Sequence, residues 1–452
     1  MRSRNARSGI EFPLTKDSLA VAIEALSWMA YTGIGERTAL LKTSQQLSIR
    51  ENSALRQAHK WIIETSRFQN RLDWFISQNV AAETLEEASH GIRSLFRIVA
   101  YMKLIESRSL ADLERVVGWA RHIIGWLELR PYEEKLARLV SSKRNLPIIP
   151  LSELDRVALE TCHPAWYVER VTLAFGRPAA LRILERDLSP VLTFARINGL
   201  KVESNTPFLE ELHVSKVNNL DGVFVFDNVS KGDNRGEFAA AGKIVIQDLA
   251  SIVAGLVASP KPGQVVLDVC ASPGNKTSHL AAQMRNEGEI YSIEVSETRS
   301  WQWRKEMTRT GCSIATLTRA DAASLPVRGQ MDIVLVDPPC SNSGVFARNP
   351  ASKWRVTSAR VKELVRSQAR ILQAASERLA EGGTLVYCTC SILPEEDEFI
   401  VEAFLRKNTE FTLIPQHPFL GRPGLRGLTD CQRFYPHLHD CNGYFIAKMR
   451  KG

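Results

Sequence analysis

The chain has 452 residues, more than one ordinary hydrophobic core accommodates, so two or three domains are expected. Hydrophobic residues make up 44% and charged residues 24%, which excludes a general bias to disorder, and no apolar run reaches the roughly 20 residues of a membrane span. A net charge of +8 permits a polyanionic partner without requiring one.

The first nine residues are basic but lead into Glu11, Pro13, Lys16 and Asp17 rather than an apolar segment and a cleavage site, the pattern of a frayed arm on a cytoplasmic protein. The cysteines are Cys162, Cys270, Cys312, Cys340, Cys388, Cys390, Cys431 and Cys441, with no C-x-x-C pair. A reducing compartment with functional thiols fits this better than a disulfide framework. Cys431, His437, His439 and Cys441 invite a zinc reading, but their spacing matches no common structural site and no metal is expected.

From Ser18 to about Leu139 the pattern is helical. In the segment Ser53 to Gln78, Leu55, Ala58, Ile62, Leu72 and Phe75 repeat at three- and four-residue steps and predict one buried face. Arg56, Lys60, Arg67 and Arg71 form a stripe opposite, readable as a phosphate track or, with Glu64 inside it, as a solvated charged face. Lys143 to Pro150 interrupts the periodicity and predicts a domain boundary. Beyond it, helices are expected at Trp166 to Phe175 and Pro178 to Leu188 and strands at Leu192 to Ile197 and Gly222 to Phe226. The expected division is an all-α domain over residues 1–147, a small mixed subdomain over 148–242 and a third domain over 243–452.

That third domain alternates short β-rich runs with helical ones. Strands are expected at Gln264 to Val269, Glu289 to Val295, Ile314 to Thr318, Met331 to Val336 and Gly383 to Cys388, with helices at Thr277 to Arg285, Glu297 to Thr310 and Ser358 to Leu379 between them. This is the signature of an α/β doubly wound parallel sheet, in which ligands bind beyond the carboxyl ends of the strands. Asp268, Glu294, Asp321, Asp337 and Cys390 stand at or just past five successive strand ends, a register that turn and cap preferences alone do not explain.

The loop Asp268 to Thr277 lacks both the G-x-G-x-x-G of a dinucleotide site and the full spacing of a phosphate loop, so a dehydrogenase or NTPase is disfavoured. Glu294, one β-α-β step later, suits a ribose whose two hydroxyls donate to one carboxylate. The prolines of Asp337-Pro-Pro-Cys340-Ser341 stiffen a loop that carries an acid and a thiol. Strand alternation puts Cys388 and Cys390 on one face, with Cys388 inside the run as packing and Cys390 at its exit as chemistry.

These residues resemble the RNA cytosine-C5 methyltransferases of the NOL1/NOP2/Sun group. The resemblance rests on Gln247-Asp248 with Ser251, the loop 268–277, Asp337-x-Pro-Cys-Ser341, Arg348-Asn-Pro with Lys353-Trp354, Thr389-Cys-Ser391 and Gly443-Tyr-Phe445, and it spans roughly residues 155–450. It implies a Rossmann-like S-adenosylmethionine-dependent methyltransferase sheet, preceded by a small α+β (RRM-like) subdomain and an all-α NusB-like N-terminal domain of the Sun/RsmB kind. Two departures stand out: Asn275 where the family's usual loop has Gly, and Ala351 where an Asp is common.

The resemblance further implies that Cys390 attacks carbon 6 of cytosine, that Cys340 assists product release and that Asp337 hydrogen-bonds the ring. Cys270, Ala271, Ser272, Pro273, Gly274, Asn275 and Lys276 would hold the methionine part of S-adenosylmethionine, Glu294 its ribose and Asp321 its adenine, with Asp337 also beside the cofactor. An electropositive setting, with Lys276 contributing, is expected to lower the pKa of Cys390. The implied partner is RNA, ribosomal RNA ahead of transfer RNA, with no membrane and a monomer as the default. A ribosome-assembly factor whose methylation is secondary is the alternative.

Overall fold

The computed structural model of the protein describes residues 12–80, 86–143, 151–202, 212, 214–226 and 234–452. Apart from Lys143, the break expected at 143–150 lies outside them. The chain forms two compact units, Met1–Glu169 with Asn349–Arg355, and Arg170–Arg348 with Val356–Gly452.

The first unit is helical over its described residues, from Lys16–Thr32 to Glu153–Glu160. Its helices start where the sequence supplies a cap: Thr15 and Ser18 form a reciprocal capping box, and Ser89, Ser109 and Ser152 each accept an N–H bond from the first turn they precede. Ala58, Trp61, Ile62, Leu72, Phe75 and Phe96 are fully buried in its core. The expected single segment 53–78 is two helices, Asn52–Arg67 and Gln69–Asn79, broken at Phe68, whose backbone (φ −101°, ψ 13°) leaves the helical region. The break re-aims the chain so that both halves of the apolar stripe reach one core. The basic stripe does not survive as a track: Arg67 is buried and paired with Glu64, and Lys60 is paired with Glu106.

The segment Asn349–Arg355 belongs to this unit through its contacts with helix ends. Lys353 Nζ donates to the Arg67 carbonyl at 2.9 Å, Trp354 Nε1 to Ser66 at 2.6 Å, and Arg355 to the carbonyls of Gly33 and Ile34. These carbonyls lie at the C-termini of Lys16–Thr32 and Asn52–Arg67, where backbone acceptors are unpaired and the helix dipole favours cations. Ala351 packs into the helical core, and its N–H donates to Glu36.

The second unit opens with a four-stranded antiparallel sheet in the order β2-β3-β1-β4, built from Phe194–Ile197 (β1), Val214–Lys216 (β2), Val223–Phe226 (β3) and Ile244–Ile246 (β4). A nine-stranded sheet follows. Its parallel part is ordered β9-β8-β5-β6-β7, from Val265–Val269 (β5), Glu289–Glu294 (β6), Ala315–Arg319 (β7), Met331–Val336 (β8) and Leu379–Thr389 (β9). The strand Tyr444–Lys451 pairs antiparallel with β9. The chain thus starts the parallel sheet in its middle at β5 and winds out to β7, then returns through β8 to β9. The crossing from one half to the other opens a crevice beyond the carboxyl ends of β5 and β8. Val266, Leu267, Val334, Leu335, Leu385 and Val386 are fully buried, as expected of strands covered on both faces. None of the described helices is long and apolar enough to cross a membrane.

Candidate active site

The Gln247-Asp248-Ser251 motif is scaffolding. Asp248 caps the helix Leu249–Ala258 by accepting from Ala250 N at 3.1 Å and ties in Asn442 N at 3.0 Å, while Gln247 donates to Ser251 Oγ and accepts from the buried Arg196.

Beyond β5 the chain turns through Cys270, at a left-handed φ of 65°, and Gly274, at φ 107°, before the helix Asn275–Gln283. Gly274 takes the left-handed position and Asn275 is the first helical residue, so the departure from the family's Gly asks no left-handed backbone of Asn275. The Asn275 carbonyl accepts from Arg196 Nη2 at 3.1 Å, which ties the loop to β1. Ala271 N donates to the Ile293 carbonyl at 3.0 Å, and Ser272 Oγ to that of Arg299 at 2.7 Å. Thr277 Oγ1 donates to Asp268 Oδ2 at 2.6 Å and accepts from Trp303 Nε1 at 3.0 Å.

Glu294 ends β6 and is buried. Its Oε1 accepts from Ser296 N at 2.9 Å and its Oε2 faces Arg299 at 3.4 Å, which leaves acceptor positions for a diol. Asp321 follows β7. Its Oδ1 accepts from Ala323 N at 2.9 Å, and its Oδ2 accepts nothing among the described residues. A turn at a helix N-terminus, a half-paired carboxylate at the next strand and a free carboxylate oxygen at the third form a donor and acceptor set that suits an amino-acid group, a ribose and an exocyclic amine.

Asp337 leaves β8, and its Oδ2 meets Lys276 Nζ at 2.6 Å. Burial pulls the Lys276 pKa down, but the Asp337 carboxylate outweighs it and holds the amine charged, above its ordinary value. Cys340 Sγ and Cys390 Sγ lie 3.2 Å apart, so the ends of β8 and β9 present two thiols at one point. Cys390 Sγ also reaches Asn342 Oδ1 at 3.0 Å. The hydrogen bond with Cys390, with burial second, pushes the Cys340 pKa well above the usual thiol value. Cys388 is buried inside β9, touches the Tyr444 hydroxyl and is raised by burial.

The side chains within hydrogen-bond distance of the Cys390 sulfur are a thiol and a carboxamide, and Lys276 is engaged by Asp337. Among the described residues no group of three His, Cys, Asp or Glu side chains could hold a metal. Cys431 and Cys441 pack in different cores.

Sequence reasoning missed the polar layer beneath the thiols. Glu396, Asp397 and Glu398 are fully buried, although an acidic run ordinarily marks a solvated surface. Arg433, also fully buried, donates to Glu398 Oε1 at 2.6 Å, to Asp397 Oδ2 at 2.9 Å and to the Ile392 carbonyl at 3.0 Å. Burial weakens the Arg433 charge, yet the two carboxylates raise its pKa overall. The signal available in the sequence was the acidic run's position, three residues after the Thr-Cys-Ser turn.

Comparison with known proteins sets this geometry in context. The profile of the family described as "16S rRNA methyltransferase RsmB/F" matches residues 255–450. A Bacillus subtilis (strain 168) protein named "Probable ribosomal RNA small subunit methyltransferase B" is 31% identical over 306 residues, covering 66% of this chain and 68% of that one. A Pyrococcus horikoshii protein named "tRNA (cytosine(72)-C(5))-methyltransferase" is 38% identical over 206 residues, 45% of this chain and 51% of the relative. The crystal structure of PH0851 superposes with a TM-score of 0.84 at 26% identity, over 97% of this chain and 99% of that one.

Proposed function

The chain belongs to the RsmB/F family of S-adenosylmethionine-dependent RNA cytosine-C5 methyltransferases, and we propose that it methylates ribosomal RNA through a covalent Cys390 adduct, with Cys340 releasing the product. The observation that carries the mechanism is the pair of sulfurs 3.2 Å apart at the ends of the adjacent strands β8 and β9.

S-Adenosylmethionine supplies an electrophilic methyl group. Residues 270–276 are suited to hold its methionine part, Glu294 its ribose and Asp321 its adenine, with Asp337 and Lys276 closing the reactive end. The Cys390 thiolate adds to carbon 6 of cytosine, and the C5–C6 double-bond electrons make carbon 5 nucleophilic. As the thiolate adds, the ring nitrogen takes up a proton from solvent, and Asp337, held in place by Lys276, accepts a hydrogen bond from that N–H and favours the addition. After methyl transfer, carbon 5 loses its proton, the C5–C6 bond reforms, the Cys390 sulfur leaves as thiolate and the ring nitrogen returns its proton to solvent. Cys340 is the neighbour suited to take the carbon 5 proton as a thiolate, its own proton having passed to solvent. In the free site its largest reason to stay protonated is the hydrogen bond with Cys390, and that bond is weakened once Cys390 is bonded to carbon.

Residues 1–147, within the first unit, are read as a NusB-like RNA-binding domain; the four-stranded sheet, whose last strand Ile244–Ile246 falls just past the expected 148–242, as an RRM-like subdomain; and the nine-stranded sheet, within the expected 243–452, as the catalytic domain. The strand order β2-β3-β1-β4 supports the second reading. A cavity of about 310 Å³ in the first unit, lined by His90, Arg93, Arg97, Trp354 and Arg355 among others, supports the first, since arginine with an aromatic ring suits a nucleotide. Ribosomal RNA is preferred because the relative that matches along most of its length is named for it, whereas the match to the transfer RNA enzyme covers half of that relative.

The test uses RNA containing 5-azacytidine, which traps the adduct. Cys390→Ala should form no covalent complex, while Cys340→Ala should accumulate one. The reverse pattern rejects the assignment, and bisulfite sequencing of total RNA from cells with and without the protein decides between ribosomal and transfer RNA.

A further inference from the structure

The buried layer beneath the thiols has a centre. Glu396 is fully buried, and four donors fill the four acceptor positions of its carboxylate. Oε1 accepts from Ser341 N at 2.8 Å and Gln368 Nε2 at 3.0 Å, and Oε2 accepts from Ser341 Oγ at 2.5 Å and Ser391 Oγ at 2.6 Å. Ser341 directly follows Cys340, and Ser391 directly follows Cys390. Gln368 also donates to the Pro339 carbonyl at 3.0 Å, so the residues on both sides of Cys340 are tied to this one carboxylate.

The proton directions make a carboxylate necessary. Ser391 Oγ accepts from Leu393 N at 2.9 Å and lies 2.9 Å from Ser343 Oγ, which itself accepts from Ile392 N at 3.0 Å. Ser341 Oγ accepts from Ser343 N at 3.2 Å. Ser391 Oγ thus has both acceptor positions taken and Ser341 Oγ one of its two, and the single proton of each is directed to Glu396 Oε2. Gly344 N adds a bond to the Cys390 carbonyl at 2.9 Å, but only Glu396 terminates both hydroxyl chains.

We propose that Glu396 is a positioning residue whose carboxylate, by accepting from Ser341 and Ser391 together, sets the separation of the Cys340 and Cys390 sulfurs. The inference rests on the two-cysteine reading above for its importance to the reaction, though not for its test. A carboxamide at this position turns an N–H either toward Ser391 Oγ, already saturated as an acceptor, or toward the N–H donors of Ser341 and Gln368, and an aspartate is one methylene too short to reach both turns.

The experiment compares full-length wild type, Glu396→Gln and Glu396→Asp for the rate at which diamide, a thiol oxidant, links the two cysteines. Both thiols lose their hydrogens, an S–S bond forms and the azo group is reduced to a hydrazine; the linked peptides are read by mass spectrometry. Both variants should link about tenfold more slowly or worse, and single-turnover methylation should fall in step while S-adenosylmethionine affinity by calorimetry stays within about twofold. Linking at the wild-type rate in both variants overturns the proposal. Should they fail to fold, Ser341→Ala and Ser391→Ala, each removing one arm, must slow linking; if neither does, the proposal fails. Because linking needs no RNA and no methyl transfer, the role of Glu396 stands or falls separately even for a chain inactive on every RNA.

Discussion

Asp268 gives the sharpest quantitative prediction. It is fully buried, Thr277 donates to its Oδ2, and its Oδ1 has no partner among the described residues. Burial pushes its pKa up to about 6, opposed by the Thr277 bond and by Lys276 and reinforced by Asp337. In the unfolded chain an aspartate titrates near about 3.9. Between those values the folded state binds more protons, so stability falls as pH rises. The group's contribution is fully present below the unfolded pKa, is lost as pH rises through about 6 and is flat above. A difference of about 2 pH units corresponds to about 3 kcal/mol. Asp268→Asn keeps the shape and an acceptor for Thr277 but cannot ionise. In urea unfolding without cofactor, its stability relative to wild type should therefore rise by about 3 kcal/mol between pH 4 and pH 7 and then level off. Any fixed cost of the carboxamide shifts the whole curve without changing that slope. Parallel curves for the two proteins across this range would refute the reasoning.

Arg433→Met leaves Asp397 and Glu398 buried without their cation and should cost about 3–5 kcal/mol in urea unfolding, far more than a surface ion pair. Gly344→Ala would place a Cβ 2.0 Å from the Gly443 carbonyl oxygen, a backbone atom that cannot swing away; about 1–3 kcal/mol of destabilisation is expected, with slower Cys390 adduct formation because Gly344 N holds the Cys390 carbonyl. Arg93→Glu, at the cavity of the helical unit, should weaken RNA binding in a filter assay and lower the salt slope by about 0.7–0.9 per lost phosphate contact, while leaving S-adenosylmethionine affinity unchanged.

Elements with strong periodicity were legible. Met331–Val336 and Glu297–Thr310 have the boundaries that their patterns predict. The centre of the parallel sheet was readable because strands buried on both faces are apolar runs, as Val265–Val269 and Met331–Val336 are. What failed was local. The helix break at Phe68 has no Gly or Pro to announce it, since tertiary burial of two apolar stripes in one core decides it. β9 starts earlier than expected, at Leu379, which pairs with Met331; the polar Glu381-Gly382-Gly383 stretch then slips out of register and pairing resumes at Thr384, an irregularity that residue type does not report. The segment Asn349–Arg355 reads as part of the catalytic motif series, yet its partners are helix C-terminal carbonyls, which no side-chain pattern reveals.

The site divides along the same physical line. The residues proposed to meet ligand sit at strand ends, so their order in the sequence maps onto a line in space, and Glu294, Asp321, Asp337 and Cys390 could be picked out by register alone. Residues that hold the reacting groups come from wherever packing brings them. Gln368 lies in the helix Ser358–Ser376, Glu396 beyond β9 and Arg433 in a late strand, and they meet only because the sheet stacks them beneath β8 and β9. Buried charge was the missing clue. Four charged groups at zero exposure cannot be inferred from a charge run, because the same letters on a surface would be solvated. In this layer every carboxylate oxygen of Glu396, Asp397 and Glu398 is matched by a donor, and matching of that kind fixes atoms more tightly than apolar contact does. Two thiols proposed to act in turn on one ring atom pair would need that tightness, which a second apolar core beneath the cysteines would not supply.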